Sequence, residues 1–402
     1  MNDEPPVDPK NWFHRALVGL HELTRIPSPL LAGILLGVAC AAGALWYAAT
    51  RAFGTDADTR SLPEAGIAAG LCALFLAVDW AWLAALPRWK VSFGPVKPPL
   101  VALLPVRLVA SLLPLAARAV GLPPTWSALA GALPHLLLSG VIVYATYYEP
   151  FRLGVTYIEL ETPKLARGQR VRLVQLSDLH VERVTRRERA LVDAVNALDA
   201  DHVLLTGDYL NFSYIGEARA IADVRQVLGR LSAREGIYAV RGTHQVDPNA
   251  LLPVLFDELP VRWLRNEHLT VGHDGHRVTF AGASCTRRRD IDVPAVERAL
   301  AGAPEDAYTV LLYHTPDLVP EAASGGADLY LAGHTHGGQI RLPWYGALIT
   351  ATDVGKRYEM GRYDVDGLTL YVSRGVGMEG MAAPRARFLC PPEIVCIDVT
   401  GI

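Results

Sequence analysis

No two cysteines in this chain are spaced as CxxC, and the five present, Cys40, Cys72, Cys285, Cys390 and Cys396, are scattered. That excludes a zinc ribbon and a disulfide framework. Blocks of like charge are also missing, and the net charge of the 402 residues is −3, so the chain lacks the electrostatic footprint of a nucleic-acid-binding protein. Charge itself is scarce up to Tyr148, where Ala, Leu, Val, Gly and Pro dominate. Beyond Arg152 it returns at the frequency of an ordinary globular protein. A chain of this length has room for two units. The change of composition between Glu149 and Arg152 divides them into residues 1–150 and residues 151–402.

The first region reads as membrane. Leu30 to Ala49 carries no charge, and a bilayer needs about 20 such residues in helical form. A secretory signal would have a shorter apolar core followed by a small-residue cleavage site. Ala65 to Leu86 is a second candidate span, with Trp80, Trp82 and Trp89 near one end as an interfacial belt, and Trp126 to Tyr148 is another. Leu100 to Leu122 is interrupted by Arg107 and Arg118 and weakened by Pro105 and Pro114. Its Leu and Val residues roughly offset one central Arg, at about 2.5 to 3.5 kcal/mol, and Arg118 can snorkel. Four spans therefore place Lys10, Arg15, Arg25, Arg88, Lys90, Lys97 and Arg152 inside, and the second region is cytoplasmic. Three spans would reverse that side. Asp79 lies within the second run and is a partner for Arg107, while His135 reads as a helix-packing residue.

The second region alternates short apolar runs with helical periodicity, which argues for an α/β sheet protein. "VRLVQLSDLH" is followed by "RRERALVDAVNALDA", "HVLLTGD" by the helix Glu217 to Arg230, and "GIYAVRG" by "PNALLPVLFDEL". "HRVTFAGAS", a helix around Val293 to Leu300, "YTVLLYH", a short helix near Leu318 to Ser324 and "ADLYLAGHTH" come next, and "LTLYVSRG" and "EIVCIDV" close the chain. The polar residues fall where strands end: Asp178 and His180, Asp208, His244, His314, and His334 with His336. Ligands of open α/β sheets bind outside those carboxyl ends.

Imidazole and carboxylate together suit Mn, Zn or Fe. Asp178 and His180 stand on alternate residues of a segment expected to be extended, so both can reach one ion. His334 and His336, spaced alike, can serve one ion each, and Asp208 can bridge the two. Two ions about 3.5 to 4 Å apart share a hydroxide and clamp an in-line phosphoryl displacement. The chemistry implied is hydrolysis of a phosphoester or phosphoanhydride.

The ordered set "DLH", "TGD", "GTH", "YH" and "GHTH" resembles the calcineurin-like metallophosphoesterase superfamily over Val171 to Val399. "AGHTHGGQIRLP" and "YVSRGVG" resemble its bacterial membrane-associated branch. The resemblance implies a four-layer α/β sandwich, two sheets flanked by helices, preceded here by an all-α transmembrane region. It implies a first metal held by Asp178, His180, Asp208 and His336, and a second held by Asp208, His314, His334 and the residue at Thr243. His244 would be the general acid, and the substrate a phosphate compound at the bilayer, within the family a lipid or nucleotide-linked acylated sugar.

Two positions depart from the family pattern. Thr243 stands in place of asparagine and Gln245 in place of the following acid, which predicts a weaker second metal. Asp247 is a candidate to restore the lost negative charge. A catalytically weakened sensor or regulatory module is the alternative reading, and the retained His244 speaks against it. Arg287, Arg288 and Arg289 form a basic loop cluster suited to a phosphate or an anionic headgroup. His202 reads as a packing residue. His268, His273 and His276 read as solvated side chains of a turn-rich stretch.

Overall fold

The computed structural model describes residues 12–53, 61–119, 124–273 and 276–402. Its chain forms two compact units, one of His14–Tyr147 with Met381–Pro384, the other containing Tyr148–Gly380 and Arg385–Ile402.

In the helical unit a short helix α1 (Trp12–His21) precedes α2 (Ser28–Phe53), α3 (Ser61–Ala85), α4 (Lys97–Leu112), α5 (Pro114–Ala119) and α6 (Pro124–Val143). Four segments, Ser28–Ala52, Leu62–Ala85, Lys97–Ala116 and Ala130–Phe151, are long and apolar enough to cross a membrane. The third is not one continuous helix to Leu122. It is interrupted at Leu113, which keeps helical angles (φ −53°, ψ −38°), because Pro114 has no N–H to continue the ladder and is suited to start a new helix; residues 120–123 lie outside the described ones. Arg107 and Asp79 are both buried and form a two-pronged pair, with Nε to Oδ2 at 2.8 Å and Nη2 to Oδ1 at 2.6 Å. Two further guanidinium protons go to the carbonyl of His135 and the hydroxyl of Ser139, each at 2.7 Å. His135 stacks on Phe75 at 4.9 Å, a packing role. Trp82, Trp89 and Tyr147 form an edge-on aromatic cluster with centroids 5.2 to 6.0 Å apart.

The α/β unit opens with β1 (Gly154–Arg167) and β2 (Arg170–Leu176), then α7 (Arg186–Ala197), β3 (His202–Leu205), α8 (Ala218–Leu228), β4 (Gly236–Ala239), α9 (Leu252–Phe256) and β5 (Val261–Trp263). It continues through β6 (Glu267–His273), β7 (His276–Gly282), α10 (Arg289–Leu300), β8 (Tyr308–Leu312), α11 (Val319–Ser324) and β9 (Leu329–Ala332). A small hairpin, β10 (Arg341–Leu342) and β11 (Gly346–Ala347), precedes β12 (Gly361–Val365), β13 (Leu368–Val372) and β14 (Glu393–Gly401).

These strands build two six-stranded sheets, ordered β1-β14-β2-β3-β4-β5 and β12-β13-β9-β8-β7-β6. Both are mixed, with a parallel centre: Leu173 pairs with His202, Leu204 with Tyr238, and Leu311 with Tyr330. The central strands "HVLL", "YTVLL" and "LYLA" are buried throughout, as strands covered on both faces must be. Leu173, Leu204 and Ile397 of the first sheet meet Phe280, Val310 and Leu331 of the second in one core. Leu191 and Val195 of α7 and Val224 and Leu228 of α8 cover the outer face of the first sheet. Val296, Leu300 and Val319 cover that of the second. The result is a helix, sheet, sheet, helix sandwich, the four-layer α/β class. Helix α7 starts at a capping box, Thr185 with Glu188, which fixes where the loop carrying His180 ends.

Several segments differ from the sequence-based expectation. Strand β1, ahead of Val171, is an edge strand running parallel to β14. The stretch around His268, His273 and His276 is a pair of antiparallel strands, β6 and β7, and His268 Nδ1 lies 3.0 Å from the carbonyl of Ala299. Residues 274–275 lie outside the described ones. His202 packs edge-on against Phe280 at 4.8 Å and pairs with Glu235 at 3.1 Å.

Candidate metal centre

The loops after β2, β3, β4, β8 and β9 come together at the carboxyl ends of the parallel strands. Their positions are set by backbone contacts. Asp178 N–H donates to Gly207 O and His180 N–H to Asp208 O, both at 3.0 Å, and His334 N–H donates to the Asp178 carboxylate at 3.0 and 3.1 Å. Gln175 bridges the two sheets just beneath, donating to Thr206 Oγ1 and to Ala332 O. The "TGD" and "RGT" turns press on one another: a Cβ on Gly207 would stand 2.3 Å from the Gly242 Cα, and one on Gly242 2.2 Å from Asp208 N. Any larger residue at either position would force the two turns apart.

Extended alternation is not what aims the ligands. Asp178, His180, Asp208, His334 and His336 all have positive φ, between 38° and 67°. Non-glycine residues rarely adopt that region, and such strain gathers at functional sites. The i, i+2 pairs thus converge through left-handed turns rather than through strand pleat.

Two groups of ligand atoms result, Asp178 with His180 and His336, and Asp208 with His314 and His334, each within 4.8 Å. In the first, the Nε2 atoms of His180 and His336 are 3.1 Å apart, and His336 Nε2 is 3.4 Å from Asp178 Oδ1. Oδ2 of Asp208 is 3.6 Å from His180 Nε2 and 3.1 Å from His314 Nε2, so this one carboxylate touches both groups. In the second group His334 turns its Nδ1 to the Thr243 hydroxyl, while its Nε2 lies 3.2 Å from Ala351 O and 2.6 Å from Arg287 Nη1. The Thr243 hydroxyl is 3.3 Å from both Asp208 Oδ2 and His334 Nδ1. This buried set of nitrogen and carboxylate donors, aimed at two adjacent points, fits a pair of borderline divalent ions.

The electrostatics follow from burial and crowding. Burial alone would raise the Asp208 carboxyl, but His314, His180 and His334 overturn this and hold it well below the usual range. Burial raises Asp178, opposed by His314 and increased by Asp208. Burial would lower His314, yet Asp208 beside it pushes it up to about 9. His334 is lowered by burial and by the Arg287 cation, and His336 by burial and His180.

His244 is buried directly after Thr243. Its loop is braced by the buried Arg241, whose guanidinium donates to Asp247 O at 2.9 Å and to His244 O at 3.4 Å. Asp247 is not a metal neighbour restoring charge. Its carboxylate accepts the backbone N–H groups of Asp208, Gly242 and Tyr209 at 2.7, 2.9 and 3.2 Å, so it fastens the two turns together. Burial and Asp208 push it up to about 7.

Of the three consecutive arginines only Arg287 reaches the histidines. Its Nη1 is 2.6 Å from His334 Nε2 and donates to Ala351 O at 2.5 Å. Helix α10 begins at Arg289, and there Arg288 turns to Asp290 in its first turn at 2.6 Å while Arg289 crosses to Glu321 of α11. Nothing in the arginine triplet itself marks that turn. Glu379 belongs to the same charged neighbourhood as Asp178, His180 and Asp208. Burial raises its carboxyl, as do Asp208 and Asp178, while His180 opposes the shift. It sits in the loop after β13, and no spacing in the sequence marks it.

Residues 171–338 match the family model for calcineurin-like phosphoesterases. Over 266 residues the chain is 31% identical to an uncharacterized metallophosphoesterase of Aquifex aeolicus, covering 64% of this chain and 95% of the relative. An uncharacterized metallophosphoesterase of Bacillus subtilis is 29% identical over 266 residues, covering 64% and 90%. UDP-2,3-diacylglucosamine pyrophosphatase of Chlamydia muridarum is 24% identical over 314 residues, covering 63% and 91%. The chain belongs to the calcineurin-like phosphoesterase family and is a metallophosphoesterase.

Proposed function

We propose that the chain is a membrane-anchored hydrolase that cleaves a phosphoester or pyrophosphate bond in a lipid-linked substrate, using two divalent ions. The observation that carries this is Asp208, one carboxylate within 3.6 Å of both His180 and His314, joining two ligand groups into one centre. Asp178, His180, Asp208 and His336 would hold the first ion, and Asp208, His314, His334 and Thr243 the second. Bound divalent ions supply Lewis acidity, which neutralises phosphoryl charge and lowers the pKa of water.

The chain's own groups do the rest. Asp208 keeps the two ligand sets at a fixed separation. Imidazole at His244, held by the Arg241 brace, gives its proton to the leaving oxygen. Arg287 presents a guanidinium at the rim of the His334 group and takes a phosphate oxygen of the substrate. The candidate spans and the name of the Chlamydia relative support a lipid-linked substrate; an acylated, nucleotide-linked sugar is the specific case. Four spans with the basic residues inside support a cytoplasmic catalytic unit. Alkaline phosphatase activity from a fusion after Arg152 would contradict that side.

The test is hydrolysis of bis-p-nitrophenyl phosphate by the full chain in detergent with Mn²⁺, Zn²⁺ or Fe²⁺ added. Turnover that vanishes with chelator supports the reading. A chain that binds metal yet turns over none of the substrate with any of the three is a sensor module instead, with Thr243 as the cause.

A further inference from the structure

The hairpin of β10 and β11 turns through Pro343, Trp344 and Tyr345, and its tip is apolar and bare. Trp344 is 104% exposed, and Leu342, Tyr345, Leu348 and Ile349 of the same segment and the neighbouring Leu389 are also exposed. Trp344 has φ +62°. Tight hairpin turns use Gly, Asn or Asp at such positions, because they reach positive φ at little cost. A bulky aromatic there is strained and hydrated at once, with no intramolecular contact in return.

The tip is also held stiffly. Lys356 Nζ donates to Tyr345 O at 2.7 Å and to Ala347 O at 3.0 Å, and lies 3.6 Å from the centre of the Tyr345 ring. Glu359 accepts from Arg341 at 2.9 Å and from Ala347 N–H at 3.1 Å. The same framework reaches the metal loop, since Thr335 Oγ1 donates to Glu359 O at 2.7 Å and Arg341 Nη1 to Gly337 O at 2.8 Å. A shallow depression of about 460 Å³ lies alongside, lined by Leu342, Trp344, Tyr345 and Leu389 with Arg341 and Glu359 at its polar edge.

We infer that this hairpin is a docking element for an anionic lipid bilayer surface, which holds the metal centre at the headgroup layer. Trp and Tyr are the side chains that settle at the membrane interface, with an apolar body and a polar atom. Lys356 lies against the tip, and the exposed Arg357 follows it in the chain, so positive charge is there for anionic headgroups. Glu359, the acid beside them, is already matched by Arg341 and Lys356. A bilayer is also the surface such a chain meets, given four segments apolar enough to cross one. The inference deepens the proposed lipid-linked substrate, and rests on that reading only in the second arm of the test.

The full chain is placed in nanodiscs of phosphatidylethanolamine and phosphatidylglycerol, with a nitroxide on Trp344→Cys in a Cys40→Ser background, the other cysteines being buried. Gln226→Cys, on the exposed face of α8, is the reference. Collisions with oxygen should exceed those with a water-soluble nickel chelate at the hairpin, and the order should reverse at the reference. Equal access of the chelate at both sites overturns the inference, and so does shielding from both reagents, the sign of a protein partner. In the second arm, Trp344→Ser/Tyr345→Ser should cut hydrolysis of hexadecyl p-nitrophenyl phosphate embedded in the nanodisc about tenfold or more, through lost effective concentration, and leave soluble bis-p-nitrophenyl phosphate within about twofold. Equal losses on both overturn docking. No turnover of either by wild type, with the nitroxide still in lipid, would reject the proposed hydrolase and leave the docking element standing.

Discussion

The hydroxyl of Thr243 stands 3.3 Å from Oδ2 of Asp208, and its backbone N–H donates to Oδ1 of the same carboxylate at 2.7 Å. The residue therefore borders the Asp208, His314 and His334 group proposed to hold the second metal, but with a neutral hydroxyl on a short stem. Thr243→Asn would put an amide carbonyl there. The Mn²⁺ concentration for half-maximal activity after chelator treatment should fall about 10-fold to 100-fold, the range seen when supporting groups at metal sites change. An unchanged midpoint, with two ions per chain in untreated wild type, would show that threonine is an adequate ligand.

Metal binding at the second group should expel a proton. His314 in the metal-free chain is pushed from 6.5 up to about 9 by Asp208, so it is protonated at neutral pH, and a metal takes only neutral imidazole. Affinity should therefore rise by up to about tenfold per pH unit and level off near the raised pKa. The same shift stabilises the metal-free fold fully below 6.5, and that stabilisation is lost as pH rises through about 9. Calorimetric titration in buffers of different ionisation enthalpy measures the proton. A heat independent of buffer would contradict the assignment of His314.

Much of the centre was legible because each ligand follows a short apolar run, and runs such as "YTVLL" and "LYLA" are buried on both faces in the fold. What the spacing concealed was how the pairs converge. Asp178 and His180 look like alternate residues of a strand but sit at φ 49° and 38°, a conformation enforced by the glycine turns packed behind them. Arg287 separates from Arg288 and Arg289 where α10 starts. Asp247 reads as a spare charge, and its partners are backbone N–H groups that carry no sequence signal. Strand β1 is hidden for a related reason: as an edge strand it is half exposed and interleaves polar residues with apolar ones.

His244→Ala should act through the leaving group. With an alkyl phosphodiester the loss should be on the order of 10² to 10⁴, and with p-nitrophenolate, which departs without a proton, much smaller. Steady-state rates on the two substrates decide it. Equal losses would mean that His244 serves the structure or a metal.

In the helical unit, Asp79→Asn leaves the Arg107 guanidinium buried without its counter-charge. Removing one partner of a buried pair costs about 3 to 5 kcal/mol, whereas replacing both with apolar residues is often close to neutral. Melting of the full chain in detergent should therefore drop sharply for Asp79→Asn and recover in Asp79→Leu/Arg107→Met. A double variant no more stable than the single one would argue that the pair is needed for more than charge balance.

If one carboxylate joins two metal sites, the Asp208→Ala variant disturbs both at once. Metal per chain by mass spectrometry is read beside hydrolysis of bis-p-nitrophenyl phosphate at saturating Mn²⁺. Loss of the shared carboxylate should weaken both ions together, leaving fewer than one per chain and no measurable turnover. Turnover within about tenfold of wild type, or two ions still bound, would contradict the bridging role of Asp208.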